Sequence, residues 1–170
     1  MKPSKFNDIA CEAGKYENFT GLIMWGDNEG IVENACFKIE EWIHSKAILF
    51  YSGVWLNGKW NNGIWNAGIW ENGNWEYGGW ESGTWKDGTW ENGYWRSGTW
   101  MNGSWEDGFW NGGIWKNGIW KYGTWKSGRW KDGTWENGIW KDGLWMGGTW
   151  KKGIDNCSIM RSDSPNLWKK

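Results

Sequence analysis

The chain has 170 residues, among them 23 Trp and 28 Gly but only 2 Pro, with 19 basic against 20 acidic side chains. A collagen-like chain needs Pro with Gly at every third place, a disordered tail lacks aromatics, and a nucleic-acid coat needs clustered cations, so none of these classes fits. No run approaches about eighteen consecutive apolar residues, and no membrane span is expected.

The first nineteen residues lack an apolar stretch ahead of a small-residue cleavage site, so no secretory signal is expected and the cytoplasm is the default location. Residues 1–52 form an N-terminal cap region with eight acidic and five basic side chains and the sole His. Within it, Val32 to Ile43 fits a helix through Cys36, Ile39, Ile43 and Ala47. The same segment fits a strand through Phe37, Ile39 and Ile43. Ala47-Ile48-Leu49-Phe50-Tyr51 runs into the next region as its first strand. Cys11, Cys36 and Cys157 are odd in number and far apart, which predicts reduced thiols.

Residues 53–153 are a repeat. A Trp stands at every fifth position from Trp55 to Trp150, twenty in all, and a Gly recurs at the same interval from Gly53 to Gly153. The unit is Gly-x-Trp-x-x: Gly53 with Trp55, Gly58 with Trp60, Gly83 with Trp85, Gly118 with Trp120, Gly148 with Trp150. The residue before Trp is β-branched in twelve of twenty units, and the residue after it is charged in fourteen. Asn, Asp, Gly and Ser cluster before the next Gly. Each unit reads as a short strand and a tight turn. A helix fails, because a five-residue step turns successive Trp about 140° apart and the Gly would cost about 1 kcal/mol each.

Two all-β architectures remain. In the favoured one, each pentapeptide is one side of a parallel β-solenoid with Gly and Trp facing inward. Four sides per coil would give about five coils stacked about 4.8 Å apart. In the alternative, an antiparallel meander with two-residue hairpins lines every Trp along one sheet face. Tyr77, Tyr122, Ala67, Ser82 and Lys152 at the first turn position suit a corner with positive φ at Gly alone. Against the coil, twenty indole N–H groups need partners in a narrow interior, which corner carbonyls can supply in part. Residues 154–170 form a C-terminal cap and tail.

The pattern resembles the pentapeptide-repeat family of four-sided β-helices, with Gly53, Gly58 and their successors at the small position and Trp55, Trp60 and their successors at the bulky one. That family has Ala and Leu or Phe there. The Gly-x-Trp-x-x-Gly word is also similar to part of a MORN repeat, and the Gly, Trp and Asn usage to choline- and glucan-binding repeats. Tandem Gly-x-aromatic pentapeptides look similar to segments of tailed-phage virion proteins, which adds a virion-associated location to the cytoplasmic one.

No catalytic, cofactor or metal site is expected. His44 has no aligned nucleophile or acid, the Cys lack zinc-type spacing, and the Gly fall on a five-residue clock instead of a phosphate-binding word. Asp87, Asp107, Asp132 and Asp142 precede Gly as turn residues, not as converging calcium ligands. Asn18, Asn102 and Asn156 begin chance glycosylation words. Charge is uneven: residues 71–107 carry seven acidic and two basic side chains, residues 116–152 three and eight. Glu71, Glu76 and Glu81, against Lys116, Lys121, Lys126 and Lys131, are thus candidate charged docking faces, with head-to-tail self-association as one consequence. The expected function is a non-enzymatic structural or protein-interaction module, possible in a phage virion or in host contact. A carbohydrate-binding module with exposed Trp platforms is the alternative. An inhibitor of a DNA-acting or defence enzyme, implied by the pentapeptide-repeat resemblance, is the second. Direct nucleic-acid binding gets no support from the near-neutral charge.

Overall fold

The computed structural model describes residues 19–25, 28–42 and 45–156. They form one 22-stranded sheet and no helix. β1 (Phe19–Trp25) pairs antiparallel with β2 (Asn28–Trp42), and β2 antiparallel with β3 (Ser45–Trp60). From β3 onward all pairing is parallel: β4 (Gly63–Trp65), then two-residue rungs from β5 (Ile69–Trp70) to β22 (Ile154–Asp155). The protein is a parallel β-solenoid.

Every rung pairs with the rungs fifteen residues away. Thr99-Trp100 lies between Thr84-Trp85 and Ile114-Trp115. Fifteen residues are three pentapeptides, so the coil has three sides. The four-sided count is corrected, and the same residues make seven coils instead of five, about 34 Å tall at the usual strand spacing. The antiparallel meander is excluded for the repeat, because its pairs would join consecutive units.

The Trp side chains form three columns. Trp55 to Trp145 back the first face, Trp60 to Trp150 the second, and Trp65 to Trp140 the third, where Phe50 completes the lowest place by stacking on Trp65 at 3.9 Å. Within a column, successive rings are parallel, as at Trp85–Trp100 with centroids 4.7 Å apart and planes at 5°. Between columns they meet edge to face, as at Trp95–Trp100, 6.0 Å and 74°. Three equivalent planes meeting at 74° have normals tilted about 44° from the axis, so a 4.7 Å step along the axis separates stacked planes by about 3.4 Å. That is aromatic contact distance. The plates therefore touch face to face along the axis and edge to face around it, and three of them close the cross-section.

Backbone geometry completes each side. Thr99 donates its N–H to the Gly83 carbonyl at 2.9 Å, and Met101 donates to the Trp85 carbonyl at 2.8 Å. Corner glycines have positive φ, whereas the only non-Gly residue with positive φ among the described residues is Asn34. This is the corner with one permissive residue that the turn composition predicts. At Gly108, with φ of 124°, an added Cβ would also lie 2.6 Å from the Gly93 carbonyl oxygen one coil below. Glycine is required there twice over, by conformation and by stacking.

The N-terminal segment resolves to strand. β2 runs antiparallel beneath the first coil and follows its bends, with register shifts at Ile31/Val32, Glu33/Cys36 and Cys36/Phe37. Val32, Ala35, Phe37 and Ile48 are buried in the same core as the Trp columns. Buried Asn28 clamps the first corner: its Oδ1 accepts from the Asn61 N–H at 2.7 Å. Gly30 is small because the Trp55 ring lies where its Cβ would be. Cys36 is disulfide-bonded, which corrects the expectation of reduced thiols; Cys11, His44 and Cys157 lie outside the described residues.

Candidate functional site

The twenty repeat indoles are buried, the most open being Trp145 and Trp150 at 9% exposure. They offer no stacking platform to a ligand, so the exposed-Trp basis for sugar binding is removed. Their N–H groups have one local acceptor: Trp95, Trp110 and Trp125, all of the third column, donate to the Gly112, Ser127 and Asp142 carbonyls at 3.0–3.1 Å. Fifteen other repeat indoles are buried without a hydrogen bond. Several aim at the equivalent corner: Nε1 of Trp80, Trp100 and Trp120 lies 3.2–3.3 Å from where a Cβ on Gly98, Gly118 and Gly138 would sit. Burying about 200 Å² of indole is worth about 5 kcal/mol, against about 1–3 kcal/mol for an unmade hydrogen bond, so burial wins at each place.

Contact chemistry therefore belongs to the outside, and the three-sided coil sorts it. The five-residue step moves a residue to the next face, while fifteen residues bring it back. Glu71, Lys116 and Lys131 share the first face, Glu76 and Lys121 the second, Glu81 and Lys126 the third. These charges do not converge on one surface. The acidic ones are also neutralised between coils: Glu71 by Lys86 at 2.7 Å, Glu76 by Lys59 at 2.7 Å, Glu81 by Arg96 at 2.7 Å. In the upper half, Lys121 pairs with Glu106 and Lys151 with Glu136, both at 2.8 Å. Lys116, Lys126, Arg129, Lys131 and Lys141 form no ion pair among the described residues.

In one ion pair, Glu106–Lys121, both partners show shifted titration. Burial pushes the Glu106 carboxyl up, but hydrogen bonds from Lys121 and Ser104 outweigh it and hold the group below the usual carboxylate range. The hydrogen bond to Glu106 raises Lys121 in turn.

The corners differ as well. Asn57, Asn72, Asp87, Asn102, Asn117 and Asp132 are stacked at the corner between first and second faces. Ala67, Ser82, Ser97, Gly112 and Ser127 occupy the corner between third and first. Asp87, Asp107, Asp132 and Asp142 each accept the N–H of the following Gly at 2.6–2.8 Å, the turn role read from the sequence. Among the described residues, no group of three or more His, Cys, Asp or Glu is placed to hold a metal ion. None of their elements is a helix able to cross a membrane.

Sequence reasoning missed an exposed aromatic band. Tyr94 and Phe109 stand outward on successive coils of the third face with centroids 6.4 Å apart. Exposed Tyr77 and Tyr122 hold the corner leading into that face. The fifteen-residue spacing of Tyr94 and Phe109 was the available signal. No family model, curated protein or solved structure matches the chain.

Proposed function

We propose that the protein is a non-enzymatic structural and protein-interaction module that acts through the outer faces of a rigid rod. The observation that carries this reading is the complete burial of the Trp columns. It spends the aromatic content on stiffness and leaves only the exterior to make contacts. A place in a phage particle or in host contact fits such a rod. The inhibitor reading is weaker. It needs an uninterrupted acidic side, and of the glutamates stacked on the second face, Glu76 and Glu106 already carry lysines.

The test is photo-crosslinking in cells from Thr84, Thr89 and Thr124, one position per face. A defined protein captured from one face and not the others supports the module. Capture of nothing but the chain itself, from all three faces, overturns it.

A further inference from the structure

We infer that the third face is a binding surface for an acidic polysaccharide chain lying along the solenoid axis. Four successive coils each present one exposed ring. Tyr94 and Phe109, at 49% and 58% exposure, occupy the outward position before Trp. On the coils below and above, that position holds the small residues Gly79 and Thr124, and Tyr77 and Tyr122 at the preceding corner supply the ring. Tyr94 and Phe109 are tilted by 34°, so they form an angled platform and not a closed stack.

The same face carries, across its short strands from the rings, cations that form no ion pair among the described residues. Lys126 lies four residues beyond Tyr122 on the same coil, and Lys141 stands on the next coil of the same face. Arg129 is just around the adjoining corner. All three are exposed and form no ion pair among the described residues, whereas Arg96, lower on this face, is held by Glu81.

Rings at the surface bind the C–H faces of sugars, and unpaired ammonium and guanidinium groups bind their carboxylates. The rise per residue of an extended β-linked sugar chain is close to the coil spacing, so successive sugars keep step with successive rungs. An extended single-stranded nucleic acid has a longer repeat and falls out of step. Charge complementarity selects an acidic chain over a neutral one. The inference rests on the reading that the outer faces make the contacts, and it goes beyond that reading in naming a ligand class.

Calorimetric titration of the full chain tests it, with β-1,4-oligomannuronate, a hyaluronan oligosaccharide, a chondroitin sulfate oligosaccharide, a cello-oligosaccharide and oligo-dT as probes. At least one acidic saccharide is expected to bind, weakened by about tenfold or more in Phe109→Ala and Lys126→Ala and by less than about twofold in Lys116→Ala, at a first-face lysine that forms no ion pair among the described residues. All three mutated positions are on the outside, and a melting curve confirms the fold of each variant. The inference is overturned if no acidic saccharide binds, if the cello-oligosaccharide or oligo-dT binds as tightly, or if Lys116→Ala weakens binding as much as Lys126→Ala. Failure here leaves the cross-linking result standing, since that experiment reads protein contacts at other positions.

Discussion

Glycine and tryptophan divide the work of each unit, and substitutions separate their roles. Gly108→Ala places a methyl group against the Gly93 carbonyl in a backbone conformation that L side chains rarely adopt. Gly79 has no positive φ and open space around it. Denaturant melts should show Gly108→Ala destabilised by more than about 1 kcal/mol and Gly79→Ala unchanged or stabilised by about 0.4–1 kcal/mol. Equal losses at the two sites would mean that the corner geometry is not what demands glycine.

The indole N–H is open to a similar comparison. Trp110 donates to the Ser127 carbonyl and Trp115 has no acceptor. Phe at either place loses similar volume, so the difference between Trp110→Phe and Trp115→Phe isolates the hydrogen bond. Trp110→Phe is expected to cost more by about 1 kcal/mol. A Trp115→Phe variant that is the less stable of the two would show that the fifteen silent N–H groups contribute after all.

At the level of the rung, much was readable in advance. The strand-turn unit, the inward Trp and the positive φ at Gly alone all follow from the five-residue clock and from the residues tolerated before Gly. The number of sides does not, because a three-sided and a four-sided coil keep the same clock. Only outer positions carry the answer. Asn57, Asn72, Asp87, Asn102, Asn117 and Asp132 form a ladder at fifteen-residue steps, whereas a twenty-residue step gives Asn57, Tyr77, Ser97 and Asn117. The cap was ambiguous for another reason. β2 must bend with the coil above it, and each register shift breaks the alternation that would have marked it as strand.

Ion pairs between rungs contribute little at the exposed surface, and Glu106–Lys121 shows in which direction. The lowered Glu106 carboxyl adds stability above its unfolded pKa of about 4.3, and this is lost as pH falls through the lower folded value. The raised Lys121 contributes below its unfolded pKa of about 10.4 and loses that contribution as pH rises through the higher folded value. Glu106→Gln should therefore melt slightly earlier than the parent at neutral pH, by no more than about 1 kcal/mol after solvent screening. The gap should close in acid. A gap that widens as pH falls would reverse the assignment.

For the whole rod, core and surface follow different periods, five residues inside and fifteen outside. Deleting residues 113–117 tests this separation. Every Trp above the cut then drops back by one unit onto another column and meets an indole there, so the interior is unbroken. The exterior is not: Tyr122, Lys126 and Lys141 pass from the third face to the second, Lys126 comes to stand over Glu106, and Tyr122 interrupts the Asn ladder. Cooperative unfolding and blue-shifted Trp emission should survive this deletion. Deleting residues 113–116 puts the upper Trp one place out of phase, facing away from the core, and should abolish the cooperative transition. A five-residue deletion that unfolds the rod as thoroughly as the four-residue one would mean that the surface ladders, and not the indole columns, hold the coils together.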